Sequence, residues 1–150
     1  MVERSAAQAA HAVMTPGAIR AGDGRYVFDM SRANRIDASP DYTTANGAVI
    51  EGERMLVGLM HMPRGTGGAP HTHPNEQWIY VVKGTLVGEV DGVAIRAPAG
   101  SVIYVPAGVV HCAYATPDED VAFFTAKDRS HGIGGTPVKP ADAEHGGKGL

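Results

Sequence analysis

The chain has 150 residues, of which 43% are hydrophobic, so it is long and apolar enough for a single domain with one core. Its formal net charge of −3 argues against a nucleic-acid-binding surface, which needs clustered lysine and arginine. No run of residues approaches the roughly 18 apolar positions of a membrane span. The single cysteine, Cys112, excludes an intramolecular disulfide and fits a reducing compartment. Because Gln8 and His11 interrupt the apolar start of the chain, we expect no signal peptide and a cytoplasmic location.

The first 46 residues predict an N-terminal arm. A short helix up to Val13 is followed by a turn at residues 15–17 and by a strand at residues 25–30, and the rest is polar and irregular. We expect this arm to pack across the main domain or onto a partner subunit. The alternative is a loosely attached tail.

Two strands are predicted next, at residues 48–50 and 55–62, with residues 51–53 joining them. If the odd positions of the second strand face inward, the interior receives Met55, Val57, Leu59 and His61. His61 is then a candidate for substrate contact or acid–base catalysis. The alternative is a partly exposed histidine at the end of a strand.

A pair of histidines two positions apart, His71 and His73, precedes a strand rich in aromatic and β-branched residues. In an extended chain these side chains share a face, and Gln77 joins them if residues 74–75 keep the phase. Two imidazoles and an amide oxygen on one face are the start of a metal site, since imidazole suits transition metals. The alternative is a pair of polar histidines in a loop.

Short strands and turns continue to residue 126. The Asp91–Gly92 pair between apolar runs indicates a hairpin with a type I′ turn. In the strand predicted at residues 109–115, His111 shares a face with Val109 and Ala113, and Cys112 points the other way. The glycine-rich residues 129–150 have little to bury. About eight short strands with almost no helix predict an all-β jelly roll or barrel.

Two segments resemble the paired motifs of the cupin superfamily. The first motif is matched by Gly65, His71, His73, Gln77 and Gly84, and the second by Gly100, Pro106, Gly108 and His111. Two positions depart from the usual pattern, because Gln77 stands where glutamate is common and Ala115 where asparagine is common. The resemblance implies one cupin domain: a double-stranded β-helix (jelly-roll) barrel at residues 47–128, with the arm at 1–46 and the tail at 129–150.

The resemblance also implies a metal site. In the cupin register, His71, His73, Gln77 and His111 surround one divalent transition metal and leave adjacent positions open for a chelating substrate, or for a substrate with dioxygen or water. Fe, Ni, Mn and Zn all fit this ligand set. A bulge at residues 74–75 would put Glu76 in place of Gln77.

The implied function is that of a metal-dependent enzyme. It would act on a small hydroxy-acid, keto-acid or diketone by stabilising an enolate or alkoxide, as an isomerase, lyase or dioxygenase, with His61 as the acid–base candidate. One alternative is a non-catalytic protein that binds or senses a small ligand through the metal. A storage protein with a vestigial site is disfavoured, because all the ligand positions are retained.

A homodimer is expected from the strand that follows Gln77. Its outward positions, Trp78, Tyr80 and Val82, are as apolar as its inward ones, so the outer face should be covered. A second subunit or the N-terminal arm would provide the cover.

Overall fold

The computed structural model describes residues 14–139, and this part of the chain consists of β-strands, turns and loops. The helix predicted up to Val13 lies outside the described residues, as do residues 140–150. In the described range there is no helix long and apolar enough to cross a membrane.

Twelve strands run through residues 14–139 in two sheets. They are β1 (Ile19–Arg20), β2 (Ile36–Asp37), β3 (Asn46–Glu51), β4 (Met55–Met62), β5 (His71–Thr72), β6 (Gln77–Lys83), β7 (Thr85–Val90), β8 (Val93–Pro98), β9 (Val102–Val105), β10 (His111–Ala115), β11 (Val121–Asp128) and β12 (Thr136–Pro137). One sheet has the order β1-β3-β4-β11-β6-β9, with β2 also paired to β3. The other has the order β12-β5-β10-β7-β8. The all-β jelly-roll prediction is confirmed.

The core lies between the inner faces of the two sheets. Strand β6 alternates in burial, with Ile79 and Val81 inside and Trp78 and Tyr80 outside, as its sequence predicts. The hairpin between β7 and β8 turns at Asp91 and Gly92, whose φ angles of 49° and 79° are those a type I′ turn requires.

Strand β4 has the opposite phase from the one predicted. Its even positions, among them Leu56 and Met60, are buried in the core, whereas His61 is half-buried on the other face. The interior position of His61, which required the odd positions to face inward, is therefore wrong, and the alternative of a partly exposed histidine at a strand end is confirmed. The strand is apolar at both parities, so alternation could not reveal which face meets the second sheet.

The described part of the N-terminal arm is attached at the edge of the larger sheet. Strand β1 pairs in parallel with β3, and β2 pairs antiparallel with it. The strand predicted at residues 25–30 is wrong, because this stretch has no partner strand among residues 14–139, and Val27 is 90% exposed there.

A buried carboxylate fastens the start of this arm. Glu51 is fully buried and accepts hydrogen bonds from the backbone N–H groups of Met14 and Thr15, both at 2.8 Å. It also pairs with the buried Arg129 guanidinium at 3.4 Å. Residues 14–20 are therefore packed on the sheet and are not a loose tail.

No part of residues 14–139 covers the outer face formed by β9, β6 and β11. We call it the outer aromatic face, and it consists of Trp78, Tyr80, Val82, Val102, Tyr104 and Phe124, each between 39% and 57% exposed. Strand β1 lies at the opposite edge of the same sheet from β9. Residues 14–46 therefore do not provide the cover that the sequence predicted.

The segment at residues 129–139 belongs to the folded body. Ile133 is buried in the core, and β12 pairs with β5 beside His71. A Cβ atom at Gly135 would lie 2.7 Å from the Thr72 carbonyl oxygen, so the missing side chain lets the backbone pack closely. The prediction of a tail with little to bury is wrong here, because these glycines allow the backbone to pack closely against neighbouring strands.

Candidate metal centre

Three histidines meet at one end of the barrel. His71 on β5 and His111 on β10 are directly opposed in the antiparallel pair, and His73 follows β5 by one residue. One ring nitrogen from each lies within 4.8 Å of those of the others. Strand pairing thus converts two distant sequence motifs into one cluster.

The three rings share one tautomer. Each Nδ1 contacts a backbone carbonyl two residues away: His71 contacts Ala69 at 2.8 Å, His73 contacts Asn75 at 2.9 Å, and His111 contacts Val109 at 3.0 Å. A carbonyl oxygen only accepts, so each Nδ1 carries the proton and each Nε2 presents a lone pair. Such backbone contacts also fix the orientation of the rings, as is usual for metal-binding histidines.

Burial keeps these histidines neutral. It lowers the pKa of His71 to about 3 and that of His73 to about 4, and it lowers the pKa of His111 as well. The positive charge of Lys127 lowers each of these pKa values further. The lone pairs are therefore available at neutral pH without loss of a proton.

One of these lone pairs is buried without a partner. His111 Nε2 makes no hydrogen bond with any described residue. Leaving such an atom unsatisfied costs about 1–3 kcal/mol. A metal ion bound among the three Nε2 atoms would remove this cost.

Gln77 directs its amide oxygen toward the same point. The Thr125 hydroxyl donates its proton to the Trp78 carbonyl at 3.1 Å, so it can only accept from the Gln77 Nε2 at 2.8 Å. The Gln77 Oε1 then lies 3.0 Å from His73 Nε2. With His73 neutral, two acceptors face each other, and a cation beside them would stabilise this arrangement.

The chain keeps its phase across residues 74–75. Gln77 is buried, whereas Glu76 is exposed and accepts a hydrogen bond from the Trp78 indole at 3.1 Å. Glu76 therefore does not take the place of Gln77. The buried Asn75 holds this turn, because its amide nitrogen contacts the carbonyls of three residues: Asp128, His131 and Gly132.

A cavity of about 60 Å³ opens beside the histidines. Its polar wall includes His71, Gln77, His111, Thr125 and Lys127, and its apolar wall includes Met60, Met62, Ile79, Leu86, Phe123 and Ile133. A single water needs about 10–15 Å³, so roughly four to six waters would fill the space. The cavity suits a small molecule with an oxygenated end and a short apolar end. His61 is not part of its wall.

Lys127 and Tyr42 line the cavity without having been predicted. Strand β11 extends to Asp128, so the alternation that buries Phe123 and Thr125 also turns Lys127 inward. That alternation was a usable signal, but the strand was predicted to end at residue 126. Tyr42 stacks on His71, with the ring centroids 4.1 Å apart, and no periodicity marks its irregular segment.

The donor set fits a divalent transition metal. Three neutral imidazoles form one cluster, and the oxygen of a primary amide faces one of them. Imidazole suits Zn, Cu, Fe and Ni, and these donors do not select among them. His71, His73 and His111 would hold the ion, and the role of Gln77 as a further ligand stays a prediction.

The fold and the site together define a jelly-roll barrel with a candidate metal centre inside it. The family model for the cupin domain matches residues 58–127. The chain belongs to the cupin superfamily.

Individual proteins are similar to this chain in sequence or in fold. An uncharacterized protein of Streptomyces coelicolor is 34% identical over 84 residues, which is 53% of this chain and 80% of that protein. The structure of a cupin-2 domain protein from Rhodospirillum rubrum aligns with a TM-score of 0.67 at 12% identity, covering 81% of this chain and 85% of that one. A predicted oxalate decarboxylase from Thermotoga maritima aligns with a TM-score of 0.60 at 20% identity, covering 69% and 98%. These structural likenesses concern the fold.

Proposed function

We propose that this protein is a metal-dependent enzyme that acts on a small oxygenated substrate, a hydroxy-acid, a keto-acid or a diketone, as an isomerase, lyase or dioxygenase. One observation carries the proposal. The three histidines present neutral Nε2 lone pairs around one point at the wall of a cavity, and one of these atoms is buried without a hydrogen-bond partner among residues 14–139. This is a set of ligands already arranged for an ion that a small molecule can reach.

A divalent ion held there would act as a Lewis acid and stabilise negative charge on a substrate oxygen. The protein's own residues supply the surroundings. Thr125 holds the Gln77 amide with its oxygen toward the ion, and Tyr42 supports the His71 ring by stacking. The apolar wall limits water around the substrate, which strengthens electrostatic interactions inside the cavity.

A second function, metal-dependent binding or sensing without turnover, is favoured by a different observation. With His61 on the other face of β4, no aspartate or glutamate of residues 14–139 lines the cavity, so the acid–base groups that reach it are few. Lys127 and Tyr42 are the remaining acid–base side chains there besides the histidines and the hydroxyls of Thr43 and Thr125.

Metal analysis followed by an activity screen tests the proposal. The purified protein should carry about one divalent transition metal per chain, and His111→Ala should lose tight binding because it removes the second motif's contribution to the cluster. His61→Ala is the matched control, since His61 lies outside the cavity, and it should keep the metal. The loaded protein is then screened with keto-acids and diketones for oxygen uptake and for product formation by NMR.

Full metal occupancy in His111→Ala would contradict the metal assignment. Saturable binding without turnover would favour the sensing function.

A further inference from the structure

Lys127 is a buried amine in the wall of the cavity. Only 3% of the residue is exposed, and its ammonium donates a hydrogen bond of 2.7 Å to the Ile133 carbonyl. Among residues 14–139, no carboxylate lies within ion-pairing distance of its Nζ. A buried ammonium without an ion-paired carboxylate is costly, so an anion in the cavity would stabilise the charged form of Lys127.

The nearby acids are directed elsewhere. Asp128 follows Lys127 on β11 and points to the other face of the strand. Its carboxylate accepts hydrogen bonds from the backbone N–H groups of Glu76 at 2.7 Å and Ser130 at 2.9 Å. The Glu76 carboxylate accepts from the Trp78 indole on the outside of the barrel. The Asp128 charge still acts on Lys127 from the other face of the strand, but no carboxylate of residues 14–139 lines the cavity side.

The candidate metal centre has the same imbalance. Three imidazoles and an amide carry no negative charge, so a divalent ion held by them would keep its full charge beside the Lys127 amine. Two positive centres sharing one small cavity repel each other unless an anion lies between them. The charge that offsets both must come from the bound molecule.

We propose that Lys127 recognises the carboxylate of the substrate, which makes the ligand of this cavity a small carboxylate with a second oxygen facing the three histidines. A 2-oxo- or 2-hydroxycarboxylate has both groups on adjacent carbons. The cavity of about 60 Å³ and its apolar wall restrict the remainder to a short hydrocarbon chain. The position of the second oxygen rests on the proposed function, whereas the contact with Lys127 does not.

Equilibrium binding of two matched probes tests this contact. Pyruvate and pyruvamide have the same number of non-hydrogen atoms and the same keto group, but only pyruvate carries a carboxylate. Isothermal titration of the zinc-loaded wild-type protein should give at least about tenfold tighter binding of pyruvate. Lys127→Met should lose at least about tenfold in pyruvate affinity and keep its pyruvamide affinity. The exposed Lys83 is the control, and Lys83→Met should bind both probes as the wild-type protein does.

Lys127→Met keeps an unbranched side chain that is only one atom shorter, and replacing buried charged groups by apolar groups of similar volume is often tolerated. Near-UV circular dichroism and the unfolding midpoint confirm folding, and Lys127→Gln is a second variant if the methionine variant is unstable. Equal affinity of the wild-type protein for pyruvate and pyruvamide would overturn the proposal, and so would a folded Lys127 variant with undiminished pyruvate affinity.

The same titrations on metal-free protein separate the two proposals. Binding of pyruvate that depends on Lys127 in a protein that takes up no metal would support the contact and contradict the proposed function. Metal-dependent turnover of a diketone, with no preference for pyruvate over pyruvamide, would support the proposed function and contradict the contact with Lys127.

Discussion

Protonation of the histidines should add almost no pH dependence to metal binding between pH 7 and pH 5. Burial lowers the pKa of His71 to about 3 and that of His73 to about 4, and it lowers the pKa of His111 in the same direction. A histidine whose pKa in the folded protein lies below its ordinary value of about 6.5 stays neutral as the pH falls through 6.5. Protons then do not compete with the metal in this window.

The size of the effect can be worked out for His71 and His73. A histidine with a pKa of about 6.5 would weaken metal binding by about 25-fold between pH 7 and pH 5, and two of them by about 600-fold. With pKa values of about 3 and about 4, the two together should weaken it by less than about twofold. The two cases differ by more than two orders of magnitude, so the assay can tell them apart.

The assay is competition for zinc against a chelator whose own pH dependence is known. Lys127 needs a control, because burial lowers its pKa to about 7 and its positive charge grows in the same window. Lys127→Met removes that charge, so this variant should show the flattest pH dependence. A loss of several hundredfold in the zinc affinity of folded Lys127→Met at pH 5 would refute the reasoning.

Four further outcomes are expected. Gln77→Glu should keep the metal and bind it more tightly, because it adds a carboxylate ligand. The same change should weaken the binding of an anionic ligand, because the net charge of the site falls. If Gln77→Glu and Gln77→Ala both keep wild-type metal affinity, Gln77 is not a ligand. Thr125→Val frees the Gln77 amide to turn and should weaken zinc binding by about 10-fold to 100-fold, the range for groups that orient metal ligands, measured by the same chelator competition. Glu51→Gln breaks a buried ion pair and should lower the free energy of unfolding by about 3–5 kcal/mol in urea titration, whereas the exposed Glu53→Gln should change it little. We also expect a homodimer through the outer aromatic face, so Tyr80→Arg should give a monomer by light scattering at micromolar concentration while keeping its metal, and a wild-type monomer would contradict this expectation.

The reliable predictions came from motifs of fixed spacing, whose polar residues set the phase of the following strand. The inward position of Gln77 at the start of β6, and the outward position of Glu76 just before it, followed from alternation continued from His71 and His73. In β4 both faces are apolar, so the phase depends on the facing sheet, and His61 was assigned to the wrong side.

Other features depend on contacts between distant parts of the chain. Ile133 and Gly135 lie in a glycine-rich stretch whose composition suggests looseness, yet one is core and the other allows close packing against β5. Tyr42 reaches His71 from an irregular segment without periodicity. Such positions are determined by tertiary contacts that local patterns do not encode.

The pairing of β12 with β5 has a consequence for the order of biosynthesis. Both histidine motifs precede residues 133–137 in the chain, and these residues supply the carbonyl that holds Lys127 and the strand that borders His71. In the nascent polypeptide, the histidines are therefore synthesised before the residues that complete the wall of the cavity. Metal acquired at that moment would bind before residues 133–137 pack against Lys127 and β5.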